Sequence, residues 1–309
     1  MHLTCPSPKD AYIGRFAPSP TGPLHFGSLV AAMASYLEAK MHGGQWLIRM
    51  EDLDQHREVP GAASRILTTL EAFGFEWDGE ILYQSRRHDA YEQALEALKS
   101  RNLAYACGCS RKEIAEAGLE AADGGWRYPG RCRGGLLHGR RARAWRMRVD
   151  DAAMELNDAV QGRYRQRLES AVGDFVLRRA DGVFAYQLAV VVDDAFQHMT
   201  HVVRGSDLLA STPRQIHLQK ALGFSIPRYM HIPVVTHAAG GKLSKQTHAT
   251  PIRACAQTLL RGLDFLGQSP DPGLQEADSR EIWRWARKHW NAARIPARMG
   301  MHEPYTHHE

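Results

Sequence analysis

Residues 12–50 constrain the fold more than any other stretch of the chain. A short apolar run at 12–16 ends in Pro18-Ser19-Pro20-Thr21-Gly22-Pro23, a Pro/Gly cluster that belongs to a loop. Phe26, Leu29, Val30, Met33 and Leu37 then recur at helical spacing until Gly43-Gly44 stops the pattern. Residues 45–50 read as a buried strand. Strand, loop, helix, strand is a unit that implies parallel strands and a right-handed crossover. Helical patterns at 60–73 and 87–99 continue the alternation, so the expected architecture is α/β with a doubly wound sheet.

Beyond residue 104 the character changes. Three of the five cysteines fall between 104 and 149, together with Gly108, Gly124, Gly125, Gly130, Gly134, Gly135 and Gly139. Residues 101–150 carry eleven Lys/Arg against five Asp/Glu, a local excess larger than the net +5 of the whole chain. An inserted, loop-rich basic module is expected there. Residues 175–186 read as a hairpin turning at Asp181-Gly182. Apolar runs at 188–192 and 201–203 return to α/β character. Ser211-Thr212-Pro213 is a helix start and Gly223 a stop. The last stretch, from about Arg261, predicts one helix bearing Trp283, Trp285 and Trp290, and a mobile tail after Ile295. The expected division is 10–104 (catalytic core, first half), 105–175 (inserted module), 176–228 (core, second half), 229–295 (a second loop motif and helical C-terminal region) and 296–309 (tail).

Composition excludes several classes. Of 309 residues, 44% are hydrophobic and 24% charged, which rules out collagen-like, low-complexity and wholly disordered chains. The longest apolar runs, such as 186–192, are strand-length, so no membrane span is expected. The first ten residues lack the apolar core of a signal peptide, and a cytoplasmic location follows as the expectation. Only eight of the 39 basic residues are Lys. Arginine grips phosphates in two-point fashion and stacks on bases, so the bias permits a nucleic-acid partner. The codon usage of a GC-rich genome accounts for it equally well.

Two motifs carry nucleotide chemistry. The stretch Arg15-Phe16-Ala17-Pro18-Ser19 through Pro23-Leu24-His25-Phe26-Gly27-Ser28 closes a strand and opens a helix, whose free amides favour an anion. His25 sits in the first turn, within reach of a phosphate oxygen. The second motif is Gly240-Gly241-Lys242-Leu243-Ser244-Lys245-Gln246, where two lysines flank a serine in a Gly-rich loop. Alone, the first is an ordinary turn with a surface histidine and the second a solvated basic loop.

Together, in this order, the two motifs resemble the HIGH and KMSKS signatures of class I aminoacyl-tRNA synthetases. Arg49-Met50-Glu51-Asp52-Leu53-Asp54, Val202-Val203-Arg204-Gly205-Ser206-Asp207-Leu208-Leu209 and Thr212-Pro213-Arg214-Gln215 look specifically like the glutamyl/glutaminyl branch. The 64 residues after Lys245 are too few for an anticodon-binding region. The chain is therefore closer to the truncated paralogue family, the glutamyl-queuosine tRNA(Asp) synthetases. His25-Phe26-Gly27-Ser28-Leu29, Phe184 through Asp194, and Lys242 through Gln246 support that choice. The resemblance covers roughly 12–266, with Ser28 and Gln246 as departures from the broad class I pattern.

The resemblance implies a Rossmann-like class I core and a two-step ligase reaction. ATP with Mg²⁺ and L-glutamate form glutamyl-adenylate, and glutamate then passes to the queuosine base at the wobble position of tRNA(Asp). It implies His25 and Lys245 as catalytic residues, and His25, Gly27, Lys242, Ser244 and Lys245 at ATP. For L-glutamate it implies Arg15, Phe16, Ala17, Pro18, Ser19, Glu51, Tyr186 and Arg204, with Arg15 at the side-chain carboxylate and Glu51 at the ammonium. A monomer is expected. Two other functions share most of these residues: a truncated enzyme charging a tRNA 3′ end, and a non-catalytic RNA- or nucleotide-binding paralogue. Asp193-Asp194 reads as structural or ATP-proximal and is left without a site role.

Cys107-Gly108-Cys109 followed by Cys132 suits a tetrahedral Zn²⁺ better than a disulfide, and reduced, unligated thiols are the alternative. Three cysteines lack a fourth ligand. Asp123 and His138 are chemically reasonable; the family resemblance selects Tyr128, giving Cys107, Cys109, Tyr128 and Cys132. Cys5 and Cys255 are isolated and read as buried or incidental thiols.

Overall fold

The computed structural model describes residues 11–121, 124–136, 138–236 and 252–302. Gly240–Gln246, with Lys242, Ser244 and Lys245, lies outside the described residues, as do Cys5 and Asp123.

The opening unit forms as its pattern dictates. Strand β1 (Ile13–Phe16) pairs in parallel with β2 (Gln45–Met50), Ile13 opposite Gln45 and Phe16 opposite Ile48. Helix α1 (Phe26–Met41) makes the crossover, its apolar positions buried. Helix α2 (Ala62–Ala72) leads to β3 (Leu82–Tyr83), which pairs in parallel with the other edge of β2. Helix α3 (His88–Ser100) follows.

The basic module then interrupts the parallel frame. Strand β4 (Ala104–Cys107) runs antiparallel to β5 (Ala144–Met147), with α4 (Arg111–Ala115) in the long connection. A capping box starts α4: the Ser110 hydroxyl accepts from the Glu113 amide while the Glu113 carboxylate accepts from the Ser110 amide. A hairpin of β6 (Ala153–Asp158) and β7 (Gly162–Arg167) and the short α5 (Leu168–Ala171) precede β8 (Val176–Arg178). Strand β8 is antiparallel to β5.

The parallel frame resumes with α6 (Tyr186–Phe196), β9 (His201–Gly205), α7 (Thr212–Leu222) and β10 (Arg228–Ile232). Strands β9 and β10 are parallel neighbours. The Thr200 amide donates to Ile13 O (3.0 Å) and the Ile13 amide to Thr200 Oγ1 (2.8 Å), which seats β9 beside β1. The spatial sequence β3-β2-β1-β9-β10 is Rossmann-like and reverses direction between β1 and β9. Val202 enters one hydrophobic cluster with α3, α6 and α7, while Val203 enters the other with α1. Helices thus cover both faces.

C-terminally, β11 (Val234–Thr236), α8 (Ala256–Phe265), α9 (Ser279–His289) and β12 (Gly300–His302) complete the chain. Trp283 and Trp290 of the α9 region reach back to the first half, donating to Phe73 O (2.7 Å) and Glu38 Oε1 (2.6 Å). Among the described residues, no helix is long and apolar enough to cross a membrane.

Three sequence readings are corrected or completed. The expected hairpin at 175–186 closes through only one isolated bridge, Arg178 to Phe184, because the chain swings into α6 at Tyr186. The apolar run 186–192, which the sequence pattern assigns to neither helix nor strand, is helical; Leu188 to Asp194 are all buried, so no polar face marks a period of 3.6. Past Ile295, residues 300–302 pair in parallel with β11, held by backbone bonds that a hydropathy pattern does not register. A second C-terminal helix, α8, also forms.

Candidate functional site

The crevice of a doubly wound sheet opens at the carboxyl ends of its strands, where the strand order reverses. Here those ends carry the charged residues. Arg15 is near the end of β1, Glu51 follows β2, and Arg204 is near the end of β9. Tyr186, at the first turn of α6, faces them, and its surroundings include the charges of Arg204, Glu51, Arg15 and Asp194. The fold therefore gathers Arg15, Glu51, Tyr186 and Arg204 at one place, from four elements distant in sequence.

Each charge is held by specific partners. Arg15 binds Asp194 in two-point fashion, Nε to Oδ1 at 3.1 Å and Nη2 to Oδ2 at 3.4 Å. Asp194 also pairs with Arg49 Nη1 at 2.8 Å, and Arg49 Nη2 lies 3.5 Å from Glu51 Oε1. Burial alone raises the Asp194 carboxyl, but the two guanidiniums outweigh it and hold it below its ordinary value. Glu51 has the longer contact with Arg49, and there burial outweighs the charges of Arg49 and Arg15 and raises the carboxyl. Arg204 donates to Tyr186 OH (3.3 Å), Thr212 Oγ1 (2.9 Å), Gln215 Oε1 (2.8 Å) and His231 Nε2 (3.0 Å).

Ser19, Glu51 and Tyr186 line a cleft of about 820 Å³ that runs on to Arg143 and Arg179 and to Cys109 and Ser110 of the inserted module. Phe16 and Pro18 are buried behind it and Ala17 is half-buried. Backbone bonds shape the wall: the Glu51 amide donates to Pro18 O and the Val59 amide to Pro20 O, both at 3.0 Å.

His25 caps α1, its Nδ1 accepting from the Ser28 amide at 3.3 Å. A Cβ at Gly27 would stand 3.2 Å from two atoms of the His25 ring and 3.6 Å from Val235 Cβ. The helix start thus abuts β11, the strand that precedes Gly240–Gln246 in sequence. The role expected of Lys242, Ser244 and Lys245 lies outside the described residues.

The cysteines converge as well. The sulfurs of Cys107, Cys109 and Cys132 lie within 4.8 Å of one another, all three buried. Tyr128 OH lies 3.4 Å from Cys107 Sγ and 3.6 Å from Cys109 Sγ, and Cys109 Sγ lies 3.6 Å from Cys132 Sγ. Zinc–sulfur bonds of about 2.3 Å in a tetrahedron set the sulfurs about 3.7 Å apart, so the cluster has the size and donor set for one such ion. His138 is exposed and is not among the groups gathered there.

Sequence reasoning gave Arg49 no role of its own and read Asp193-Asp194 as structural or ATP-proximal without naming their partners. Asp193 accepts from Arg87 (2.6 Å), Tyr91 OH (2.7 Å) and Gln84 (2.8 Å) and braces α6 against α3. The usable signal was two adjacent carboxylates ending a wholly apolar run, which requires buried cationic partners.

Site and fold together define an α/β synthetase core, and residues 13–267 match the family model for the catalytic domain of class I tRNA synthetases (E and Q). The chain belongs to that family and, within it, to the Glutamyl-Q tRNA(Asp) synthetases. It is 60% identical to the Glutamyl-Q tRNA(Asp) synthetase of Dechloromonas aromatica over 292 residues, which are 93% of this chain and 97% of that protein. The protein of the same name from Chromobacterium violaceum is 58% identical over 288 residues, covering 93% and 96%. Among solved structures, a glutamate-tRNA synthetase from Elizabethkingia anophelis superposes with a TM-score of 0.76 at 26% identity, covering 94% of this chain and 68% of that one. A glutamate tRNA ligase from Elizabethkingia meningosepticum, solved in complex with its amino acid, matches with the same TM-score and identity over 95% and 67%.

Proposed function

We propose that this protein is an ATP-dependent ligase that activates L-glutamate as glutamyl-adenylate and transfers it to the queuosine base at the wobble position of tRNA(Asp). The observation that carries the reading is the convergence of Arg15, Glu51, Tyr186 and Arg204 at the switch point. Glutamate presents two carboxylates and one ammonium, and two cations with one anion are their complement. Arg15 meets the side-chain carboxylate, Glu51 the ammonium, and Tyr186 with Arg204 the rest of the amino acid. Phe16 through Ser19 form the wall beside them.

In the first step the glutamate α-carboxylate attacks the α-phosphorus in line and pyrophosphate departs. No protein nucleophile is needed, and catalysis rests on position and charge. His25 and the amides at Gly27 face the triphosphate, Mg²⁺ accompanies ATP, and Lys242, Ser244 and Lys245 meet the departing pyrophosphate. In the second step a queuosine hydroxyl attacks the acyl carbon and AMP leaves. The basic module receives the anticodon stem-loop through phosphate contacts, so binding weakens with salt. Cys107, Cys109, Tyr128 and Cys132 would hold a structural Zn²⁺ that ties the first part of this loop-rich module together. The division of the chain proposed from sequence, with the module at 105–175 between two halves of the core, fits this assignment of roles.

The test is a charging assay with labelled glutamate. Product on queuosine-modified tRNA(Asp) and none on unmodified tRNA(Asp) is the expected result. Product on unmodified tRNA(Glu) instead would mean a 3′-end charging enzyme. Absence of glutamate-dependent ATP–pyrophosphate exchange without tRNA would leave a binding module.

A further inference from the structure

Arg204 differs from the other buried cations of the site. Arg15 and Arg49 share Asp194 as an anionic partner, but the four acceptors of Arg204 are a phenol, a hydroxyl, an amide oxygen and an imidazole nitrogen. Its charge is thus held in place without being cancelled by any of them. The imidazole is His231, on β10 and fully buried.

What lies behind His231 fixes its proton. Asp158, at the end of β6, accepts from His231 Nδ1 at 2.6 Å through Oδ2. Its Oδ1 accepts three backbone amides, those of His231 (3.0 Å), Val160 (3.0 Å) and Gln161 (2.9 Å). A carboxylate so surrounded stays ionised, and its carboxyl is held below the ordinary range: burial opposes this, but the hydrogen bonds from His231 and the amides prevail. Nδ1 must therefore carry the ring's hydrogen, and Nε2 is left as an acceptor pointing at Arg204 Nε, 3.0 Å away. Thr212 Oγ1, 3.2 Å from Nε2, donates to Leu208 O and accepts from Arg204, which leaves that nitrogen to the guanidinium.

We propose that Asp158 and His231 form a positioning relay for Arg204: a neutral imidazole, kept in one tautomer by a buried carboxylate, aims the guanidinium at a substrate carboxylate while leaving its charge free to bind it. This inference rests on the glutamate-binding role given above to Arg204. Protonating Nε2 would set cation against cation and release Arg204 from its seat. The groups around the ring are Asp158 from β6, Arg204 from β9, Asp207 from the 3-10 turn after it, Thr212 from α7 and Tyr229 stacked on its own strand. Burial holds the imidazole below its ordinary value, with Arg204 adding to this and Asp158 and Asp207 opposing it. The neutral form therefore prevails at neutral pH, and the relay fails only on acidification.

Two substitutions separate an acceptor from a filler. His231→Gln keeps an acceptor on a side chain of similar reach, and His231→Phe keeps a buried ring without one. In ATP–pyrophosphate exchange, the KM for glutamate of the Phe variant is expected to rise about 10- to 100-fold, the range for one lost hydrogen bond to a charged group. The Gln variant stays within about threefold of the parent, less than the factor of ten that 1.4 kcal/mol represents. The KM for ATP stays constant in both. The pH profile gives a second reading: the parent's glutamate KM climbs on the acid side, and the Gln variant, which cannot be protonated, loses that part of the climb. Equal glutamate KM values in all three proteins, or equal losses in both variants, would overturn the relay. Should the Phe variant not fold, an acid limb unchanged in His231→Gln would overturn it and a lost limb would support it. A parent protein without any glutamate-dependent exchange would instead refute the proposed function itself.

Discussion

Asp194 Oδ1 lies 3.1 Å from Arg15 Nε and 2.8 Å from Arg49 Nη1, so one buried carboxylate on α6 holds two guanidiniums at the ends of adjacent strands. Asp194 thus determines where the cation assigned to the glutamate side chain stands. Asp194→Asn keeps the shape and removes the charge, leaving two buried cations with Glu51 as their nearby anion. Breaking a buried pair in this way costs about 3–5 kcal/mol. Urea unfolding should show that loss, and glutamate-dependent exchange should fall with it. A variant as stable as the parent would show that Asp194 does not bear the charge balance of this site.

The same carboxylate gives the stability a pH dependence of known sign. Its folded-state pKa is depressed, so its contribution is complete above the ordinary aspartate value of ~3.9 and is lost as pH falls through the folded value. Asp158 is depressed too and adds to the same trend. Glu51 is raised and works oppositely, since acidification relieves its buried charge. The two depressed groups, each with direct short contacts, should outweigh the single raised one. Urea midpoints measured from pH 6 to 3 should drop steeply below about pH 4, and less steeply in Asp194→Asn.

How far the sequence revealed this site depends on the kind of signal each residue leaves. The β1–α1–β2 unit was legible because Pro/Gly punctuation and apolar spacing are local. Arg15, Glu51, Tyr186 and Arg204 were found through motif resemblance, and the strand ends then bring them together. Arg49 and His231 leave no local pattern, and the paired carboxylates at Asp193-Asp194 signal buried cations without naming them, because the partners lie some 70 to 180 residues away across the sheet. Helix α6 went unassigned for a related reason: buried throughout 188–194, it lacks the polar face that would betray its period.

The cysteine cluster predicts a metal dependence confined to the module. Purified protein should contain about one equivalent of zinc, and Cys132→Ser should lose most of it, since a hydroxyl is a poor substitute for thiolate. The module's melting temperature should fall by on the order of 5 °C, taking about 4–8 °C per kcal/mol for a segment of this size. Because His25 and α1 lie on the core, ATP–pyrophosphate exchange should suffer less than transfer to tRNA. Metal-free parent protein with full transfer activity would remove zinc from the proposed module.

Gly27 offers a test of the ATP-facing turn that does not touch a charged group. It sits in the first turn of α1 without a left-handed backbone, so Ala is conformationally welcome and gains up to about 1 kcal/mol of helix propensity. The added Cβ, however, meets His25 Cε1 and Nδ1 at 3.2 Å, closer than such contacts ordinarily sit. The ring must give by a few tenths of an ångström, and the group assigned to the triphosphate shifts with it. A displacement near 1 Å at a positioning residue can cost about 10²-fold in rate. Gly27→Ala should therefore stay near the parent in stability, while glutamate-dependent exchange falls by up to about that factor, chiefly through ATP. Undiminished exchange in a folded Gly27→Ala protein would show that His25 has room to spare and that its placement does not limit activation.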